Sequence, residues 1–307
     1  MSETPRELYD LVIVGAGPAG LAGAMYAARQ AMSVAVVAGE IGGQAAWAGR
    51  IENYLGWQLV TGPELVQRFR EHVGTFSVEC FEGRLVNAVV PDGENFDVYT
   101  REGLTLKARA VIIATGRTPN RLAVPGEQEL IGHGVSYCAT CDAAFFRGKP
   151  VAVVGSTESA ADAALQLADL DADVLLLADS ALRAPVSVLE KLEANERVRV
   201  ATGAKVRRID GDAHVTGITF QDAEGERTAP VEGVFVETGS IAVAEFTGGL
   251  VETNERGEVV VDKRGTTTVP GIYAAGDVTD SLGKQVIIAA GEGARAAVAA
   301  YQDLKRR

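Results

Sequence analysis

Short apolar runs alternate along the chain with Ala-rich stretches, and one such alternation occurs twice. DLVIVGAGPAGLAGAMYAARQAMSVAVVAGE (Asp10 to Glu40) reads as strand, small-residue turn, helix, strand, acidic end. PVAVVGSTESAADAALQLADLDADVLLLADS (Pro150 to Ser180) repeats that order. The strand segments are continuously apolar, which is the pattern of parallel strands covered on both faces and joined by helical crossovers. Two later runs, ARAVIIATG (Ala108 to Gly116) and PGIYAAGD (Pro270 to Asp277), end in glycine turns and return to the first copy. The first domain is therefore discontinuous, residues 1–117 and 244–307, with residues 118–243 inserted into it. The chain crosses between them near Arg117 to Asn120 and near Val243 to Phe246.

The turns of the two copies differ. In the first, Gly15 permits a tight turn, Gly17 lets backbone approach a pyrophosphate, and Gly20 lets the helix pack closely on the strand. Glu40 stands where an acidic residue accepts hydrogen bonds from an adenosine ribose. Strand, glycine turn, helix and acidic end together mark a dinucleotide site. The predicted fold class is α/β, with two Rossmann-like three-layer domains, the second inserted in the first. In the second copy the turn reads Gly155, Thr157, Ala160, with Glu158 where a pyrophosphate would lie and Asp179 at the end of the next strand. Thr157 adds a side chain where the backbone must be bare, and Glu158 adds charge of the wrong sign.

Composition and charge narrow the partners. The chain has 307 residues, 47% of them hydrophobic, and a net charge of −12 from 41 acidic and 29 basic residues. Nucleic acid and anionic membrane surfaces are excluded as partners by that sign. No apolar run has the length of a membrane span, and MSETPRELYD lacks the basic and apolar regions of a signal peptide, so the expected location is cytoplasmic. There are three cysteines, Cys80, Cys138 and Cys141. The C-x-x-C pair lacks neighbours at ligand spacing, since His72, His133 and His214 are scattered, so no metal site is expected. Redox chemistry is the expected role of Cys138 and Cys141, and Cys80 is expected to be an inert core residue.

VGAGPAGLAGA, GGQAAWAGRIENYLG, VIIATG, YCATCD and PGIYAAGDVTDSLGKQVIIAAGEGARAA, in this order and spacing, resemble the low-molecular-weight thioredoxin reductase family from end to end. The resemblance implies FAD in the first domain. Its contacts would come from Gly15, Gly17, Pro18, Ala19, Gly20, Glu40, Gly43, Gln44, Asn53, Ala114, Thr115, Gly116, Gly276, Asp277, Lys284, Gln285 and Val286. It implies Cys141 as the flavin-proximal thiol, Cys138 as the interchange thiol and Asp142 as acid/base. It implies a homodimer and, as partner, thioredoxin or a similar dithiol protein.

The chain departs from that family where NADPH would bind. The glycine-rich turn of the inserted domain is GSTESA, the basic cluster for a 2′-phosphate is replaced by Ala178-Asp179-Ser180, and a Gly-x-x-Pro-Asn turn is replaced by Gly239 to Val243. NADPH is therefore not expected, and the resemblance narrows to the ferredoxin-dependent flavin thioredoxin reductases, with ferredoxin or flavodoxin as donor. The basic run RVRVATGAKVRR could dock an acidic donor, but its alternation is also that of a solvated strand face. Trp47, Tyr54 and Trp57 could pack their loop or stack on a flavin. Two alternatives stay open: an oxygen-using dithiol oxidase, which shares every motif, and an NADH-dependent reductase in which Asp179 binds the ribose.

Overall fold

The computed structural model describes residues 5–307. They form two compact units: residues up to Trp47, Glu52–Thr118 and Ile241–Arg307 in the first, Ala48–Ile51 and Pro119–Ser240 in the second. Ala48–Ile51, given by sequence to the first domain, group with the second.

The first unit is built on a five-stranded sheet in the order Ile272–Ala274, Val111–Ile113, Leu11–Ala16, Val34–Ile41, Val78–Glu82. All neighbours are parallel. Successive side chains of a strand point to opposite faces, and here both faces are covered. Leu11, Ile13, Val34, Val36 and Ile112 face the helical layer. Val12, Val14, Val37, Val111 and Ile113 face an antiparallel meander of Val86–Asp92, Asn95–Thr100 and Thr105–Ala108. This two-sided burial is why the strands read as unbroken apolar runs.

In the helical layer, Pro18–Arg29 and Val286–Leu304 pack through small residues. A Cβ at Gly293 would lie 1.9 Å from the Ala19 carbonyl oxygen, so a single hydrogen there sets how closely the two helices approach.

The second unit repeats the plan. Its parallel sheet runs Val198–Thr202, Asp173–Ala178, Pro150–Val154, Gly233–Val236, Val135–Ser136. Val151, Val153, Leu176 and Phe235 face the helices, whereas Ala152, Val154, Val234 and Val236 face a second antiparallel meander over residues 205–229. The chain returns as a two-stranded ribbon of Arg117–Pro119 with Ser240–Ala242. Gly239 takes φ of +91° here, and its carbonyl accepts the Asn120 N–H at 2.9 Å. No helix among the described residues is long and apolar enough to cross a membrane.

Two glycines of one helix give a test. Gly293→Ala places a methyl against the Ala19 backbone and should cost about 1–3 kcal/mol, whereas Gly291, with nothing within 4 Å of its added Cβ, should gain up to about 1 kcal/mol as Gly291→Ala. Thermal unfolding should move down for the first and level or up for the second.

Candidate functional site

The turn after Leu11–Ala16 is shaped by backbone crowding. Gly15 has φ of +107°, and a Cβ there would sit 2.3 Å from the Ala114 carbonyl oxygen. A Cβ at Gly20 would meet the Gly15 carbonyl oxygen at 1.9 Å. Gly17 is different: its nearest neighbour would be the Gly42 carbonyl oxygen at 3.9 Å, so the space beside it is open. Gly17 caps the Pro18–Arg29 helix without a side-chain hydrogen bond, and no acidic residue lies in the first turn. The free N–H groups and positive end of that helix therefore face open space, which is what a pyrophosphate needs.

The other predicted residues gather at the same sheet edge. Gly43 would bring a Cβ to 3.7 Å from Gly17 Cα, and Gly276 one to 2.9 Å from the Ala19 Cβ. Exposed Glu40 precedes Ile41, the register partner of Ala16. Gln44 Nε2 donates to the Arg117 carbonyl at 2.6 Å, Thr115 Oγ1 to the Val243 carbonyl at 2.5 Å, and Asn53 Nδ2 to Gln285 Oε1 at 2.9 Å. Gly116 takes φ of +69° and accepts the Val243 N–H. Gln285 caps the Val286–Leu304 helix, whose first turn, beginning at Val286, also lacks an acidic side chain.

A charged network underlies this edge, and the motifs did not reveal it. Arg117 pairs with Glu258 at 2.7 Å, both largely buried, and Lys284 reaches Glu258 at 3.6 Å while donating to the Thr279 carbonyl. Burial alone would push the Glu258 carboxyl up, but Asn254 and the two cations hold it below the usual range. Glu292 accepts the Gly276 N–H at 2.8 Å. Arg117 and Glu258 lie in none of these motifs, and Glu292, within the last of them, carried no assigned role, so only their packing identifies them. Beside them burial pushes the Asp277 carboxyl up, against Lys284 and Arg117 and with Glu292. No described residue hydrogen-bonds the Asp277 carboxylate. A part-buried acceptor without a donor, next to an open phosphate turn, matches the hydroxyls and phosphates of FAD, so the residues present fit that group.

In the second unit Cys138 and Cys141 form a disulfide with Cα atoms 5.3 Å apart. Cys138 caps the one-turn helix Ala139–Asp142, and its N–H donates to Ser136 Oγ at 3.1 Å. Burial pushes the Asp142 carboxyl up, opposed by a hydrogen bond from Ser136. Cys80, on a strand of the first unit, is partly buried, and burial raises its thiol pKa, away from the reactive thiolate.

The second phosphate turn carries side chains where the first is bare. Thr157 stands at the N-cap of the Glu158–Ala168 helix without a side-chain hydrogen bond, and Glu158 occupies its first turn. Ser156 Oγ donates to Asp179 at 2.6 Å, which with Ser180 holds that carboxyl below its ordinary range. Glu237 accepts from Ser159 Oγ at 2.7 Å and from the Ala139 N–H at 3.2 Å. In the basic run Arg197 pairs with Asp171 and Asp173, and Arg208 with Asp210, as a solvated strand face does. Tyr54 packs on Phe69, with ring centroids 5.5 Å apart.

Residues 9–296 match the sequence pattern of the pyridine nucleotide-disulphide oxidoreductases. The chain belongs to that family and has the two-domain thioredoxin reductase-like fold. Among solved structures it is similar to a thioredoxin reductase from Streptococcus pyogenes, at 35% identity and a TM-score of 0.93 over 98% of this chain and 99% of that one. It is also similar to one from Giardia duodenalis, at 29% identity and a TM-score of 0.90 over 98% and 100%. Among curated proteins it is 41% identical, over 99% of its length, to an alkyl hydroperoxide reductase subunit of Pseudomonas aeruginosa, of which it spans 60%. The chain thus spans about three-fifths of the length of the curated relatives it matches.

The raised Asp142 pKa makes a signed prediction. The fold favours the protonated carboxyl, so the associated stability is complete below the unfolded pKa of about 3.9 and is lost as pH rises through the folded value. Asp142→Asn removes that loss, and its melting temperature should exceed the native one by about 2–4 °C at pH 8. Melting curves should converge near pH 4.

Proposed function

We propose that the chain is an FAD-dependent disulfide reductase that passes electrons through Cys138 and Cys141 to a thioredoxin-type dithiol protein, with a donor other than NADPH. One contrast carries this reading. The phosphate turn is bare in the first copy, whereas in the second it carries Thr157 and acidic Glu158, and its Ser156 and Ser159 hydroxyls are engaged by Asp179 and Glu237.

Bound FAD supplies a carrier that takes electrons singly or in pairs and hands two to a disulfide. Gly17 and the helix behind it would hold the pyrophosphate, Glu40 the ribose, and Asp277 the ribityl hydroxyls. Reduction of the Cys138–Cys141 bond yields two thiols. Cys138, as thiolate, attacks one sulfur of the partner's disulfide, forming a mixed disulfide and releasing the other partner sulfur as a thiolate that takes a proton. Cys141 then attacks Cys138, re-forming the internal bond and releasing the second partner thiol. Asp142, whose pKa is raised by burial, accepts and returns the Cys141 proton. The names of the relatives, thioredoxin reductase and alkyl hydroperoxide reductase, both describe reductases, which favours this direction over a dithiol oxidase.

For the donor, the acidic second turn, with Glu158 at the helix start, favours ferredoxin or flavodoxin. NADH is the second reading, favoured by Asp179 at the end of its strand and by the family's pyridine nucleotide description. The homodimer carried by the resemblance would cover Leu55 and Leu282, apolar side chains of the first unit that are 88% and 97% exposed.

Anaerobic titration of the yellow protein with NADPH, NADH, reduced ferredoxin and dithiothreitol tests the donor. Reduced ferredoxin should bleach the flavin and support thioredoxin reduction, and bleaching by micromolar NADPH would overturn the donor assignment. Rapid reoxidation by air after dithiol addition would show an oxidase. Cys138→Ser should keep the flavin spectrum and lose turnover at least 1,000-fold on the scale typical of a lost nucleophile, about 10³ or more. Asp277→Ala should purify with FAD content reduced about tenfold or more, in line with a lost charge-assisted hydrogen bond, read from the flavin-to-protein absorbance ratio.

A further inference from the structure

We propose that Glu237 is a positioning residue for the dithiol: its carboxylate ties the first residue of the Cys138-capped helix to the disused phosphate turn and sets the charge against which Cys138 ionises. The inference rests on the reading of Cys138 and Cys141 as the redox pair.

Glu237 directly follows the Gly233–Val236 strand, and its N–H donates to the Val154 carbonyl at 2.8 Å, pinning it to the end of the neighbouring strand. Its own carbonyl oxygen lies 2.4 Å from where a Gly155 Cβ would be, so the backbone is wedged against the turn. From there one carboxylate oxygen takes the Ser159 hydroxyl, in the first turn of Glu158–Ala168, and the other the Ala139 N–H. Ala139 is bonded directly to Cys138, so the negative charge stands within a few bonds of the interchange thiol.

The carboxylate has no ion pair among the described residues. Its contacts are the Ser159 hydroxyl and the Ala139 N–H; on the elements that carry them stand Cys138, Cys141 and Asp142 with Ala139 and Glu158 with Ser159, while Asp179 is held by Ser156 and Ser180 and the Arg183 N–H bonds the Ser156 carbonyl. A part-buried carboxylate with only hydrogen bonds to satisfy it is costly, and its desolvation pushes its pKa up against those bonds. Packing alone would be served as well by a neutral amide. The charge has a distinct consequence: an anion beside Cys138 opposes thiolate formation and so destabilises the reduced pair relative to the disulfide. A pair with a less stable reduced form is a stronger reductant, which suits a dithiol that must give electrons away.

The test uses the full FAD-loaded chain, reduced by excess dithiothreitol, whose two thiols become its cyclic disulfide as the Cys138–Cys141 bond opens. Iodoacetamide labelling of Cys138 is followed from pH 5 to 10 by mass spectrometry. Glu237→Gln removes the charge while its carbonyl can still accept the Ala139 N–H and its NH2 can donate to Ser159 Oγ, and it should move the labelling midpoint down by about one pH unit. It should also shift the equilibrium with dithiothreitol at pH 8 about tenfold toward the reduced pair. Glu237→Ala should show the same shift with a lower melting temperature. Ser159→Ala, which weakens the ionised form without touching the dithiol helix, should move the midpoint the same way by less, and serves if the Glu237 variants do not fold. A Glu237→Gln profile superimposed on the native one, or an unmoved Ser159→Ala profile, overturns the inference. Failure of native Cys138 to label after dithiothreitol would instead overturn the redox reading beneath it.

Discussion

A parallel strand covered on both faces can carry no polar side chain along its length, so polar chemistry enters only where the strand runs out. Both sheets of this protein obey that constraint, with Leu11–Ala16 and Pro150–Val154 each buried between a helical layer and an antiparallel meander. The carboxyl edge is where the next backbone turns over the sheet and where a helix begins with unpaired N–H groups. The glycine turn, the acidic residue ending the neighbouring strand and Asp277 therefore share one edge of the first sheet. Asp179, Glu237 and the phosphate turn share the equivalent edge of the second.

The two edges differ in what meets the helix N-terminus. In the first copy none of the described residues does: Gly17 is bare, no acidic residue follows in the first turn, and no described residue donates to the Asp277 carboxylate. A ligand completes such an edge. In the second, Glu158 enters the first turn while Ser156 and Ser159 turn their hydroxyls to internal carboxylates. Both hydroxyls are engaged within the fold, and one of the carboxylates, Glu237, also accepts from the dithiol helix. The two cores lie on the faces of the sheet and do not depend on the residues of the turn.

Legibility in the sequence followed the range of the interaction. The strands, turns and helices around Gly15 and Gly155 were readable because their causes are local: continuous apolar runs, glycine where a Cβ would strike backbone, Ala and Leu after the turn. The C-x-x-C pair was readable for the same reason. Arg117, Glu258 and Glu292 were not, because Arg117 and Glu258 are 141 positions apart and meet only when the discontinuous domain closes. Glu237 was silent too, since its partners Ala139 and Ser159 lie 98 and 78 positions away. Ala48–Ile51, which sequence order places with the first domain, group with the second.

The sequence by itself determined the duplicated α/β frame, the bare turn that admits a dinucleotide, the loss of that turn in the second copy and the presence of a dithiol. These follow from residues within a few positions of one another, where covalent geometry and steric exclusion leave little choice. Only the tertiary structure decided which distant charges stand together at the strand ends, which carboxylates find donors, and that the second phosphate turn is tied through Glu237 to the helix of Cys138. Those outcomes depend on how chain returns bring remote backbone into register, and desolvation makes each such meeting consequential.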